Sequence, residues 1–205
     1  MALLICSVAM RYEFLRFRRT RQQRMTSVLA SALTLVLGSA LCWASIEKLT
    51  LPQMVQRIDN AIYGEILAKR VEAVALPDGS GELFFTTLTI KGTSLVNNAA
   101  STIEVSYPGG FLDEERGVYN SEEPSADDVR TGNRVVAFYK WSPDMGGGFA
   151  SNALYASHGG LFRTFVSRKG ETIVQGRGPG YAVATNQVLS GLEKQAQELY
   201  AKRKR

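Results

Sequence analysis

Few residues in this chain could carry catalysis or bind a transition metal. His158 is the only histidine, and both cysteines, Cys6 and Cys42, lie within the first 44 residues. A transition-metal site built from histidine and cysteine ligands is therefore excluded within one chain. His158 could act as a general base, with the Ser157 hydroxyl beside it. Adjacent residues on a strand point to opposite faces, however, so the two do not form a nucleophile and its base. No G-x-S-x-G elbow is present. Ser45-Ile46-Glu47-Lys48 matches S-x-x-K without the companion motifs of that chemistry. Gly176-Arg177-Gly178-Pro179-Gly180 lacks the Lys-Ser/Thr of a phosphate loop, and Pro179 removes an N–H such a loop needs. These residues indicate no catalytic group and no cofactor.

The densest polar cluster is acidic: Asp113, Glu114, Glu115, Glu122, Glu123, Asp127 and Asp128. Hard cations such as Ca²⁺ want several oxygens at once. The spacing here is not D-x-D-x-D-G, which favours a solvated loop over a calcium site. Phe84, Phe85, Phe138, Tyr139, Trp141, Phe162 and Phe165 fall on predicted strands. Most are expected in the core, and any that share an exposed face would make a binding surface.

The elements that must position these residues are mostly strands. Thr50-Leu51-Pro52 can open a short helix, with Met54, Val55 and Ile58 at helical spacing. Residues 61–67 read as a strand that can continue through 71–76, and the Asp78-Gly79 turn leads into a second at 82–91. Residues 101–107 alternate Ile103, Val105 and Tyr107 with polar residues, as a half-buried strand does. Residues 111–130 read as a long exposed loop, and 134–141 (RVVAFYKW) is the clearest buried strand. Shorter strands are predicted at 154–156, 161–167 and 172–174. Residues 186–204 read as an amphipathic helix with Val188, Leu189, Leu192, Ala196 and Leu199 on one stripe. The terminal Lys202–Arg205 complements its C-terminal dipole. The fold expected is mainly β: a small antiparallel barrel with a short N-terminal helix and a C-terminal helix.

The N-terminus bears on location. Arg11, Arg16, Arg18, Arg19, Arg21 and Arg24 precede a run of 20 uncharged residues, 26–45. Ending in Cys42-Trp43-Ala44, this is the form of an export signal cut between Ala44 and Ser45. Met10 is an alternative start that keeps all six arginines. The run is also long enough to span a bilayer, so a retained anchor is the alternative to cleavage. The leader holds six of the 24 basic residues and one of the 19 acids, so residues 45–205 carry 18 of each. The net charge of +5 thus belongs to the leader, and no nucleic-acid partner is expected. With no cysteine after the leader, the domain must be held together by its core alone.

Four short motifs carry a resemblance. Ala61-Ile62-Tyr63-Gly64-Glu65-Ile66 resembles an A-x-x-x-G-x-V first strand, and residues 86–92 (TTLTIKG) resemble a strand ending in Lys-Gly. Residues 103–110 (IEVSYPGG) resemble V-x-V-x-x-P-G-G, and 132–139 (GNRVVAFY) resemble G-x-x-V-x-x-F-L. Over about residues 49–183 the chain resembles a broad group of uncharacterised exported bacterial proteins with an OB-like barrel. More distantly it resembles the barrel of the tissue-inhibitor-of-metalloproteinases and netrin modules. Those inhibitors insert a cysteine-led N-terminus at the target's metal, whereas the expected mature start here is Ser45, so the resemblance implies the barrel and not the inhibition.

The expected organisation is an export signal at 1–44, a β-barrel domain at 45–184 with its acidic loop at 111–130, and a C-terminal helix with a basic tail at 185–205. The function expected is an exported, non-enzymatic binding or scaffold domain of the bacterial envelope, periplasmic or secreted. Its partners would be an envelope protein or glycan, besides the export machinery that reads the leader. Membrane contact would follow only from a retained leader. A hydrolase with an unrecognised site is the alternative from another class.

Overall fold

Residues 48–203 are described by a computed structural model. The expected export signal, the expected Ala44–Ser45 cleavage point and the last two residues of the basic tail lie outside the described residues. Helix α1 (Leu51–Arg57) is followed by strands β1 (Asn60–Ala75), β2 (Glu82–Ser94), β3 (Ala100–Pro108), β4 (Gly110–Phe111) and β5 (Gly117–Val118). Then come β6 (Arg134–Ser142), β7 (Ser151–Leu154), a 3₁₀ turn (Ser157–Gly160), β8 (Leu161–Val166), β9 (Thr172–Val174), β10 (Gln187–Val188) and helix α2 (Leu189–Arg203). Among the described residues no helix is long and apolar enough to cross a membrane.

Five strands close into a barrel, in the cyclic order β1-β2-β3-β7-β6 and back to β1. The antiparallel expectation holds for every pairing but one: β3 runs parallel to β7 over Val105↔Asn152 and Ser106↔Ala153. Closure depends on β1 serving two neighbours. It pairs with β6 through residues 60–65 and with β2 almost from end to end. Gly64 lies opposite Gly92 in that pairing. A Cβ on Gly92 would sit 2.0 Å from the Tyr63 carbonyl oxygen, and one on Gly64 would sit 2.4 Å from that of Lys91. Only glycines admit so close a backbone approach, which lets the paired strands coil sharply. A register shift between Ile66 and Ala68 adds to the bend.

Two cores follow from the pleat of β6, whose inward and outward residues are both buried. Val135, Ala137 and Tyr139 join Ile62, Ile66, Leu88, Ile90, Val105 and Tyr107 inside the barrel. Val136 and Phe138 face the other way, onto Phe162, Met54, Val55, Leu189 and Leu192. Phe138 and Phe162 meet edge to face at 5.9 Å. Burial on both faces explains the unbroken apolar run that marked this strand in the sequence. Fully burying side chains of this size stabilises by about 1.5–3 kcal/mol each.

Several boundaries move. The strand expected at 154–156 lies at Ser151–Leu154, because Ala156 and Ser157 adopt left-handed φ of 56° and 47° and start the 3₁₀ turn. Helix α2 starts at Leu189 and not at 186, since Gln187 and Val188 pair with Val174 and Ile173. Its stripe buries Leu189, Leu192 and Ala196. Beyond any effect on its own helix, Arg203 reaches the end of α1 and donates to the Val55 carbonyl (3.1 Å) and to that of Ile58. The 111–130 segment is not bare loop: its start forms the β4–β5 hairpin, and Val129 is buried in the barrel interior.

Candidate functional site

The Pro108-Gly109-Gly110 turn ends β3 and is tied to β2, where the Gly109 N–H donates to the Phe84 carbonyl at 2.8 Å. Gly109 and Gly110 have φ of +105° and +118°, and a Cβ on Gly110 would fall 2.3 Å from Thr86 Oγ1. Thr86 Oγ1 donates to the Gly109 carbonyl at 2.7 Å. The chain then enters the β4–β5 hairpin, whose side chains have no core to enter. Phe111, Leu112, Val118 and Tyr119 are 55%, 40%, 49% and 73% exposed. Scattered exposed apolar residues are ordinary, whereas four within one hairpin form a patch.

Beside this hairpin are two depressions of about 380 and 390 Å³, and Pro108 and Met145 line both. The first also takes in Leu83, Phe84, Val118 and Tyr119, with Glu82 at its edge. The second takes in Glu122, Ala153, Leu154 and Ala156. Met145 belongs to the 143–150 turn, which is braced internally. Asp144 Oδ1 accepts the N–H groups of Gly146 (2.7 Å) and Gly148 (3.0 Å). Phe149 stacks on buried Phe85 with ring centroids 4.7 Å apart. Gly146, at φ +129°, would place a Cβ 2.7 Å from Leu83 Cδ1, so this turn lies directly against the β1–β2 hairpin.

Each depression of this groove has one acidic residue in its lining. These are Glu82 and Glu122, and a Glu123 carboxylate oxygen sits 2.7 Å from where a Gly109 Cβ would be. Partial burial raises the Glu123 pKa, with an opposing pull from Lys69. Asp113, Glu114 and Glu115 occupy the hairpin's connecting turn. Asp113 accepts the Arg116 Nε–H at 3.0 Å and the backbone N–H groups of Glu115 and Arg116, and these bonds lower its pKa. Tyr107, buried under the turn, has its phenol pushed up to about 12 by desolvation, outside the range of acid–base work near neutrality.

The seven candidate acids do not converge. Asp113 pairs with Arg116, Asp127 with Arg130, and Asp128 with Arg177 at 2.9 Å. Among the described residues no group of three or more His, Cys, Asp or Glu side chains could hold a metal ion. His158 uses both ring nitrogens locally. Nδ1 faces the Glu122 carbonyl at 3.2 Å, and Nε2 faces the Tyr181 hydroxyl at 3.4 Å. No serine or threonine hydroxyl among the described residues is bonded to it. Of the strand aromatics, Phe85, Phe138, Tyr139 and Phe162 are buried, while Trp141 and Phe165 are 53% and 46% exposed.

The outer face of β1, β2, β3 and β7 carries a ladder of hydroxyls. Ser151 Oγ and Ser106 Oγ lie 2.7 Å apart, Ser106 Oγ and Thr87 Oγ1 2.8 Å, and Thr87 donates to Glu72 at 3.1 Å. Arg70 clamps the far side, bridging Glu72 (3.3 Å) and Glu104 (3.0 Å). Among the described residues no base adjoins any of these hydroxyls except the terminal carboxylate. The ladder's evident work is to tie β3 to β7 where only two register pairs close the barrel.

No protein-family model matches the chain, and no curated protein or solved structure matches it significantly. Fold and site together therefore define the class: a closed five-stranded barrel flanked by two helices, with an apolar groove beside the β4–β5 hairpin that has acidic residues in its lining. The groove residues Leu83, Met145, Val118 and Tyr119 were not singled out by sequence reasoning. The available signal was Phe111-Leu112 and Val118-Tyr119 bracketing an acidic run, large apolar residues in a segment with no strand long enough to bury them.

Proposed function

We propose that this chain is an exported, non-enzymatic binding module of the bacterial cell envelope, built on an OB-like barrel. Its ligand is an apolar, lysine- or arginine-bearing segment of a partner protein, held in the groove between the β4–β5 hairpin and the 143–150 turn. The observation that carries this reading is the exposure of Phe111, Leu112, Val118 and Tyr119 together beside that groove. Taking the five barrel strands alone, the order is first, second, third, fifth, fourth, with third and fifth parallel. OB barrels bind ligands over strands two and three, between the loops joining strands one to two and four to five. Here those loops are 76–81 and 143–150, and the groove lies at their end of β2. The acids in the lining select for a basic partner, and aliphatic Leu112 and Val118 suit a peptide better than a glycan. The arginine-rich leader supports export, as does the cysteine-free domain.

The test is calorimetric titration of residues 45–205 with short synthetic peptides: alternating leucine and lysine, alternating leucine and glutamate, and alternating serine and lysine. The leucine–lysine peptide alone should bind. The V118S/Y119S double variant should weaken it about tenfold, the loss of one good anchor. Equal binding by all three peptides, or by the variant, would overturn the reading.

A further inference from the structure

A further depression, between the 3₁₀ turn and the β8–β9 pair and lined by none of the groove residues, has the opposite electrostatic character. It encloses about 250 Å³ and is lined by Asp128, His158, Arg163, Gln175, Arg177 and Tyr181, with Gly176 beneath. Arg177 is clamped: Nε and Nη2 both donate to the Leu161 carbonyl (3.0 and 2.9 Å), Nη2 also reaches Asp128, and the guanidinium lies 5.8 Å from the Phe162 ring centroid. Its Nη1 donors have no partner among the described residues. Asp128 is neutralised by this pairing. Arg163 and Gln175 are directly opposed at the β8–β9 margin, where the Gln175 N–H donates to the Arg163 carbonyl at 2.9 Å. Cross-strand partners project from the same face. Neither side chain has a partner of its own among the described residues. Lys48 adds a third cation, its Nζ 5.5 Å from the Tyr181 ring centroid.

We infer that this depression is a binding site for a small phosphate-type oxyanion, free or as the headgroup of a monoester. Two guanidiniums, one of them pre-oriented, supply fork-shaped donors matched to a tetrahedral oxyanion. Gln175 adds a neutral amide donor. The single carboxylate is already balanced, so Arg163 and Lys48 leave the site two charges positive. The volume is below that of pockets for drug-sized ligands and suits a phosphate with a short substituent. The site shares no lining residue with the apolar groove, and it does not depend on the function proposed above.

Residues 45–205 would be titrated with inorganic phosphate, with glycerol phosphate and with chloride at equal ionic strength, reading both heat and melting temperature. Phosphate and glycerol phosphate should bind and raise the melting temperature by linkage, and chloride should not. R163Q, at a partnerless exposed side chain, should keep its circular dichroism spectrum and unliganded melting temperature and bind phosphate roughly tenfold more weakly. Q175A should weaken binding less. Co-sedimentation with phosphatidic acid vesicles, against phosphatidylcholine alone, distinguishes a lipid headgroup from a soluble phosphate. Sedimentation lost in R163Q assigns the lipid; soluble binding without sedimentation assigns the free ligand. No phosphate effect on wild type, or equal affinity in R163Q, overturns the site. V118S/Y119S should bind phosphate normally, which separates failure here from failure of the groove.

Discussion

Single residues decide how tightly this chain can bend. Gly92 and Gly64 face each other across the β1–β2 pair at a separation no side chain allows. G92A should therefore destabilise by about 3 kcal/mol or more, since backbone and not a pliable side chain must yield. Gly191 is the internal control: it lies in helix α2 with nothing within 4 Å of where a Cβ would stand. G191A should stabilise by about 0.5–1 kcal/mol through helix propensity. Urea denaturation of both variants checks the pair, and similar midpoints would contradict it. Both glycines of the close pair are visible in the sequence, Gly64 within the Ala61–Ile66 strand motif and Gly92 in the Lys91-Gly92 pair that ends the second. That they touch was not legible, because 28 positions of chain separate them and only the strand register brings them opposite. His158 shows the same limit. Its adjacency to Ser157 is in the sequence, whereas its bonds to Glu122 and Tyr181 are supplied by distant segments.

At the scale of elements, the acidic 111–130 segment divides into parts of different firmness. The connecting turn of the β4–β5 hairpin holds Arg116, an exposed residue paired only with Asp113 in the same turn among the described residues. Arg130 follows Val129, which is 1% exposed, and Asn133 Nδ2 ties down the carbonyls of Asp127 (2.6 Å) and Asp128 (3.1 Å). Trypsin should accordingly cut after Arg116 well before Arg130, because cleavage needs several residues of unfolded backbone. Mass spectrometry of a digestion time course reads the order. Strong protection of Arg116 by added calcium, absent with chelator, would instead indicate that the carboxylates gather around a cation. The long strands were legible from alternation and β-branched content, since those signals are local. The β4–β5 hairpin and β10 were not. Two-residue strands have no period to detect: β4 and β5 pair only with each other, and β10 forms on the free edge of β9.

For the whole molecule, the covalent and thermal behaviour follows from composition. With both cysteines in the first 44 residues, the domain should melt at the same temperature with and without reductant, with a far-UV spectrum dominated by β structure. N-terminal sequencing of the protein from the envelope fraction should begin near Ser45, and an intact leader would favour the anchored form. The sequence by itself determined the mainly β composition, the short first helix, the last helix and the partition of charge between the first 44 residues and the rest, all properties of local pattern or simple counting. Only the tertiary structure decided that β1 serves two neighbours, that β3 meets β7 in parallel, and that a hydroxyl ladder pins that junction. It alone set the apolar hairpin beside Met145 and gathered Arg163, Gln175 and Arg177 around one depression. The reason is physical: periodicity reports which face of an element is buried, while a site forms where faces of elements far apart in sequence meet. Their meeting is fixed by strand register, glycine contacts and turn geometry, none of which leaves a periodic trace.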